Sequence, residues 1–469
     1  MNKRLFVFLG VAAVLAGCSF IPPYTRPALP VPDQWPTGTA YTTTAPTTGA
    51  PASDIPWQSF FTDERLQRII QLALDNNRDL RLAALNVERA RAIYGIQRAA
   101  IYPALDAAAS GSKQQVPADL TSSGEVERPE QYDVNLGVFA WEIDFFGRLR
   151  SLKDQALETF LATEQARRSA QLLLVSAVSQ SYLTLAADRE NLALSRTTLE
   201  TQQASYALIK RRFDSGVSSE LDLNRALTQV AVARRNIARY TLLVAQDINA
   251  LRLLVGSLTP MAPTMLPDDL ASVLPPRTIH AGITSDVLLM RPDILQAENL
   301  LKAANANIGA ARSALFPRIS LTTSIGTASS ELSGLFEAGS GTWLFGPQIS
   351  MPVFDARLWS AVDAAKAENQ IALVQYEKTI QTAFREVADA LAVRGTIDER
   401  LDAQQSLVNA ASETYRLSDM RYRRGIDDYL SVLDAQRSLF SAQQELVLLK
   451  LEKIANQVRL YAVLGGGAD

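Results

Sequence analysis

Cys18 is the single thiol among 469 residues and His280 the single imidazole. One of each is too few for a thiolate–imidazole metal cluster, a disulfide framework or a histidine-based triad. The chemistry open to Cys18 is on its own sulfur. Leu15-Ala16-Gly17 precede it, small residues of the kind that end a secretory leader. Lys3 and Arg4 supply a basic start, and Leu5 to Leu15 is an apolar stretch too short for a bilayer, which takes about 20 residues. The pattern reads as a lipobox. Diacylglycerol joins the sulfur as a thioether, a peptidase cuts before Cys18, and the freed amine is acylated; several acyl chains hold where one is marginal. Ser19 in place of Asp matches lipoproteins sent to the outer membrane. The competing reading is an incidental cysteine in an ordinary cleavage region.

A second candidate group is made of charges. Leu430, Asp434 and Arg437 are spaced to share one helix face. Spacing alone supports a solvated i,i+3 ion pair of about 0.2–0.5 kcal/mol. Asp398 and Arg400 lie well away from any turn and serve as a neutral comparison. No nucleophile–base pair or metal cluster is legible, so the sequence predicts no enzyme and no cofactor. The 46 basic residues against 49 acidic ones remove the footprint of a nucleic-acid binder. Charged content of 20% with 47% hydrophobic residues excludes wholesale disorder.

The elements that must carry these residues are long. Arg148 to Ser215 contains neither Gly nor Pro, and from Ala356 to Arg424 only Gly395 interrupts. Each predicts a helix of roughly 100 Å at about 1.5 Å per residue. Gly216 and Gly425 follow, then the shorter Gly- and Pro-free runs Val217–Val255 and Ile426–Leu464, which predict returning helices. The two halves repeat each other. Arg148-Leu149, Ser151, Asp154 and Ala156 recur 209 positions later as Arg357-Leu358, Ser360, Asp363 and Ala365, and the same offset takes Gly216 to Gly425. Upstream, Asp79, Gly95 and Pro103 recur as Asp293, Gly309 and Pro317 at an offset of 214. This is a tandem duplication.

Other segments alternate with period two. Tyr132, Val134, Leu136 and Val138 interleave with Asp133, Asn135, Gly137 and Phe139. Ile319 to Ile325 behaves likewise, as do Ile349, Met351 and Val353, while Leu105 to Gly111 is a weaker, Ala-rich strand. Such runs fit membrane strands with one face to lipid and one to water, and Asp106, Asp133 and Asn135 are candidates for the wet face. Trp141, Phe145, Phe146, Trp343 and Phe345 are expected at strand ends. A soluble sandwich shares this periodicity. In a bilayer four strands leave open edges, so several copies must share one barrel; dimer, trimer and tetramer all satisfy the count. The resulting division is a signal peptide 1–17, a lipid-anchored strap 18–56, a first repeat 57–256, an equatorial linker 257–285 and a second repeat 286–469.

Arg291-Pro292-Asp293-Ile294, Ala338 to Phe345, the string Leu433-Asp434-Ala435-Gln436-Arg437-Ser438-Leu439-Phe440 and Leu464-Gly465-Gly466-Gly467 resemble the outer membrane factor family of the TolC superfamily, in its lipoprotein branch. The resemblance implies an α+β membrane protein, a homotrimer with a 12-stranded β-barrel continued by a periplasmic α-helical barrel. It implies the exit duct of a tripartite drug-efflux system, served by a periplasmic adaptor and an inner-membrane resistance-nodulation-division transporter. It places a periplasmic gate at Tyr422, Leu430, Asp434 and Arg437. It places adaptor docking at the turns Gly216, Val217, Ser218 and Gly425, Ile426, Asp427. Protein secretion and metal-ion efflux by the same fold stay open, as does a coiled-coil envelope tether without a channel; six Met and one His rank metal efflux low.

Overall fold

The computed structural model describes residues 19–41, 52–256, 261–279 and 284–467; Cys18 and His280 lie outside them. One order of elements occurs twice, the first time with an additional leading helix. Helices α1 (Glu64–Asn76) and α2 (Arg78–Ala99) precede strands β1 (Asp106–Lys113) and β2 (Glu130–Ile143), then helices α3 (Arg148–Asp214) and α4 (Glu220–Val255). The second round has α5 (Pro292–Ser313), β3 (Arg318–Ser329), β4 (Gly341–Ser350), α6 (Ala356–Arg423) and α7 (Tyr429–Val463). The long Gly- and Pro-free runs become helices of 67 and 68 residues. Helices of this length have no interior cap, so their faces must be covered along their length by other helices.

The strands form one antiparallel sheet in the order β1-β2-β3-β4. Asp106 pairs with Gly137, Gly137 with Ser324, and Ser324 with Leu344. Directly paired residues share a face. Val134, Leu136, Ile325, Trp343, Phe345 and Ile349 therefore fall on one side, and Asp106, Ser110, Asp133, Asn135, Ser324 and Gln348 on the other. On the apolar side Ile325, Trp343, Phe345 and Ile349 are each at least 62% exposed. An exposed apolar sheet face beside a polar one is the surface of a lipid-facing barrel wall.

Two strand expectations need correction. The fourth strand ends at Ser350, so Met351 and Val353 lie beyond it, and it begins at Gly341. Trp343 and Phe345 are inside that strand, and Trp141 is inside β2. For Trp141 the physical reason is a bulge. The β2–β3 register shifts between Val138 and Trp141, and Ala140 takes φ 53°. One extra residue moves the following side chains to the opposite face. Val138 and Trp141 thereby share the apolar side, and a strict period of two cannot reveal it.

The chain divides into two compact units. The first contains Val87–Thr163 and Ala297–Tyr376, with the strap through Pro27. Here the strap is pinned to α5 and the residues just after it: Phe20 stacks on Phe316 at 4.5 Å, and Arg26 pairs at 2.6 Å with buried Glu298, which Lys302 of the same helix also holds at 3.0 Å. The second contains Ala28–Asn86, Glu164–Gln296 and Glu377–Asp469. Its core includes Tyr461 stacked on Phe60 at 3.9 Å, and Arg291 bonded to Asp293, Glu386 and the Val463 carbonyl.

Candidate functional site at the helical turns

Each long helix ends in the same device. The Val217 N–H donates to the Arg212 carbonyl and the Gly216 N–H to that of Phe213; Ile426 and Gly425 do the same to Arg421 and Tyr422. This closes the last turn and requires a left-handed residue, which Gly216 and Gly425 supply at φ 73° and 74°. The returning helices begin later than their Gly-free runs because Ser219 and Asp428 act as caps. The Ser219 hydroxyl accepts from Asp222 N–H at 3.1 Å, and the Asp428 carboxylate from Ser431 N–H at 3.2 Å.

Beside these turns a cluster of buried residues joins the two hairpins. Ile209 and Ala226 come from α3 and α4; Tyr422, Tyr429, Val432 and Leu433 come from the second hairpin, with Tyr206, Leu223 and Tyr415 packed around them. The Arg212 guanidinium lies 4.9 Å from the centre of the Tyr422 ring, a cation–π contact across the hairpins. Burial pushes the Tyr422 phenol up, opposed by the Arg212 charge and by a bond with the Ser218 hydroxyl. Burial pushes Tyr429 up further, helped by neighbouring Tyr422 and Tyr415.

The predicted gate residues divide into two groups. Tyr422 belongs to the buried cluster. Leu430, Asp434 and Arg437 are on the exposed face of α7; Asp434 and Arg437 form an ion pair with side chains 57% and 62% exposed. The turn residues Val217 and Ile426 are exposed apolar side chains, and Arg421 holds Asp427 through two bonds of 2.6 and 2.8 Å. Sequence reasoning missed Tyr429 and the part played by Arg212. The recurrence of Tyr206 as Tyr415 at the 209 offset was a usable signal for the tyrosine cluster. Asp398 and Arg400 are not neutral: Lys453 reaches Asp398 at 2.7 Å, and Arg400 clasps Glu452 at 2.9 and 2.8 Å, lacing α6 to α7.

On the sheet, Asp133 accepts from the Ser110 hydroxyl at 2.6 Å and from the Asn135 amide at 2.9 Å, which links two of the three candidate wet-face residues; Asp106 shares their face, paired with Gly137. Among the described residues no group of three or more His, Cys, Asp or Glu is placed to hold a metal ion.

The described residues thus comprise an amphipathic four-stranded sheet and a duplicated helical hairpin. The description "Outer membrane efflux protein" matches residues 69–257 and 283–466. The chain belongs to the outer membrane efflux protein family. It is 49% identical over 473 residues to the antibiotic efflux pump outer membrane protein ArpC of Pseudomonas putida, covering 100% of this chain and 96% of that protein. It has the same identity and coverage to the toluene efflux pump outer membrane protein TtgC of Pseudomonas putida. The open state of the MtrE outer membrane channel of Neisseria gonorrhoeae is similar with a TM-score of 0.85 and 36% identity, over 96% of this chain and 99% of that one. As a member of this efflux family the chain is an outer-membrane channel protein, and its turns and sheet fit a conduit rather than an enzyme.

Proposed function

We propose that this efflux protein is the passive exit duct of a tripartite system for small, largely apolar organic compounds. Relatives named for toluene and for antibiotics support that cargo class. Three copies share one barrel of twelve strands, anchored by acyl groups on Cys18. The observation that carries the reading is the sheet. It has one apolar exposed face and one polar face, and its outer strands β1 and β4 have no further partner among the described residues. Open edges in lipid cost several kcal/mol per unpaired group, so copies close the ring. An adaptor docks at Gly216, Val217, Ser218, Gly425, Ile426 and Asp427, where exposed Val217 and Ile426 offer apolar contacts. An inner-membrane resistance-nodulation-division transporter drives the cargo. The periplasmic closure is formed by Leu430, Asp434 and Arg437, with Tyr422 holding the helix behind them.

Threefold symmetry brings three copies of Asp434 and Arg437 around one axis. Replacing both with Ala removes exposed ion pairs that contribute on the order of 1 kcal/mol or less per copy. The expected result is a higher open-channel conductance in planar bilayers and greater sensitivity of cells to large antibiotics. Glu413→Ala with Arg416→Ala, an exposed pair of the same i,i+3 spacing, is the comparison. Equal conductance of wild type and both variants overturns the gate. A monodisperse monomer in mild detergent overturns the shared barrel.

A further inference from the structure

The corner where a strand runs into a long helix is built twice, and the two copies differ. In the first repeat Asp144, Phe145, Phe146, Arg148 and Arg150 lead from β2 into α3; at the 209 offset Val353, Phe354, Asp355, Arg357 and Trp359 lead from β4 into α6. The first corner is laced with charge. Arg148 holds Glu142 at 2.7 Å, Arg318 at the start of β3 holds the same carboxylate at 2.7 Å, and Arg150 holds Asp144 at 3.2 Å. It is also covered. The Phe146 ring lies 5.1 Å from that of Phe316, in the short segment joining α5 to β3, and the Phe146 carbonyl accepts from the Ser313 hydroxyl at 2.8 Å.

The second corner has lost both features. Glu142, Asp144 and Arg150 give way to Met351, Val353 and Trp359. These three are 60%, 94% and 65% exposed and Phe354 is 92% exposed, whereas every residue from Asp144 to Arg150 is more than half-buried. A corner bound for water gains nothing by exchanging an ion pair for a valine and a tryptophan. Contiguous exposed apolar side chains mark a contact surface.

The sheet determines what can reach it. Ser350 at the end of β4 pairs with Arg318, and Asp106 at the start of β1 pairs with Gly137, so these two strand ends lie at the same end of the sheet, on opposite edges. In a closed ring of such sheets, β4 of one copy lies beside β1 of the next. The segment leading into β1 carries the counterpart of Phe316, which is Tyr102 at the 214 offset. Tyr102 and Leu105 are each 68% exposed. The Trp141 Nε1–H donates to the Ile101 carbonyl at 3.1 Å and holds that segment beside the sheet.

We infer that Tyr102 and Leu105 of one copy seat on Val353, Phe354 and Trp359 of the next. The joint between copies then repeats, across the chain boundary, the Phe316–Phe146 packing found inside each chain. This inference rests on the shared barrel proposed above. The contact is heterologous, because each copy gives a ring to one neighbour and a corner to the other, as a closed cyclic assembly requires.

The test uses the full-length protein in outer membranes. Tyr102→Cys together with Phe354→Cys, treated with a short bifunctional thiol reagent, should give covalent dimers and trimers after denaturation. Either single variant, which keeps the native Cys18, sets the background. Phe146→Cys with Phe316→Cys, the matching pair within one chain, should leave monomers. In a second arm, Val353→Asp with Trp359→Arg gives the second corner the first corner's ion pair. The trimer fraction in mild detergent should fall by about tenfold, as for loss of a central aromatic contact, with helix content kept. If that pair does not fold, Trp359→Ala alone should lower the trimer fraction in the same direction. Trimers whose Tyr102→Cys, Phe354→Cys form links only at background overturn the joint. So does an unchanged trimer fraction in the second arm, or labelling of residues 351–359 by a photoactivatable phospholipid in the intact trimer, since lipid then covers the corner. A monomeric wild type overturns the shared barrel itself, whereas trimers without the link overturn the joint alone.

Discussion

The two helical turns descend from one sequence and solve the same problem with exchanged parts. In the first, Ser219 caps α4 and Asp222 follows three residues on; in the second, Asp428 caps α7 and Ser431 follows. Acceptor and neighbour have traded places, and both versions satisfy the free N–H groups of a helix start. The arginines diverge more. Arg421 is spent within its own turn on Asp427, whereas Arg212, opposite Ser218, has no carboxylate in its turn and reaches the Tyr422 ring of the other hairpin. The packing residues diverge most. Tyr422 and Tyr429 are 8% and 2% exposed, while their counterparts are Phe213, 36% exposed, and Glu220, also exposed. A duplicated element can keep its backbone device and give its two copies different duties: one turn contributes the buried ring, the other the cation that covers it.

The largest expected effect comes from breaking that division. Tyr422→Ala removes a buried aromatic and the platform under Arg212, a change of roughly 3–5 kcal/mol for buried rings. Phe213→Ala, at the matching position, removes a ring already near water and should cost under about 1 kcal/mol. Hydrogen exchange around both turns is the measurement: Tyr422→Ala should expose the amides of 206–212 as well as 422–433, and Phe213→Ala should leave 422–433 protected. Equal effects would mean that the tyrosine cluster does not bind the hairpins together.

A second contrast lies along the same helices. Asp188 of α3 and Asp247 of α4 face each other, and at the duplicated positions stand Ile397 and Asn456, the latter donating to the Ala390 carbonyl at 2.9 Å. Burial pushes the Asp247 carboxyl up to about 6, with the Asp188 charge and a shared hydrogen bond adding to it. Asp188 is also raised by burial, opposed by its bond with Asp247 and by the Arg239 charge. A carboxyl whose folded value exceeds its unfolded value of about 3.9 favours the folded state below that value, and the benefit is lost as pH rises through about 6. With the intrinsic pH dependence of amide exchange divided out, the first hairpin should be more protected at pH 5 than at pH 7.5, and the second should show no such step. Asp247→Asn copies the second hairpin's solution. It should abolish the step and stabilise the hairpin at pH 7.5 by on the order of 1 kcal/mol, a figure reduced for partial exposure. A pH step that survives Asp247→Asn assigns it to another group.

These contrasts explain what the sequence could and could not disclose. Arg148 to Ser215 and Ala356 to Arg424 announced their helices because neither holds a proline and only Gly395 interrupts the second, and Gly216 and Gly425 announced the turns. The sheet was legible where alternation held, at Tyr132 to Val138 and Ile319 to Ile325. It failed at Ala140, where one inserted residue reverses parity, and at β4, where Gly341 to Ser350 places Leu344 on the polar side and so blurs the alternation. Leu430, Asp434 and Arg437 were found as a helix face because spacing fixes faces. Tyr422 was grouped with them although it packs inward, because which helix covers which face is a tertiary fact. Tyr429 and the Arg212–Tyr422 contact belong to that same class, since they join residues more than 200 positions apart.

The smallest effect is the most discriminating, because it exchanges the arginines' duties and leaves the buried rings in place, changing only the group that Tyr422 meets at position 218. Ser218→Asp gives the first turn the carboxylate that the second already has. The new acid competes for Arg212, trading a cation–π contact of about 0.5–1 kcal/mol for an exposed ion pair of about 0.2–1 kcal/mol. Net stability should scarcely change, yet a tie between hairpins becomes a tie within one. Asp427→Ser does the reverse and frees Arg421, whose turn then resembles the first. The two charge states are separable by pH. Arg421 holds the Asp427 carboxyl below the usual carboxylate range, so that pair is intact above the unfolded value of about 3.9 and is lost only as pH falls through the lower folded value. Between pH 5 and 7.5, where Asp247 titrates, Asp427 contributes a constant. In that window Ser218→Asp should raise tip opening in planar bilayers modestly, by about twofold, with Asp427→Ser near wild type and the thermal midpoint of both within about 2 °C of it. Arg212→Gln should match Ser218→Asp in opening, because both remove the same cation from the Tyr422 ring. If Arg212→Gln and Ser218→Asp differ in opening, or if Asp427→Ser has the larger effect, the contact across the hairpins is not what separates the two turns.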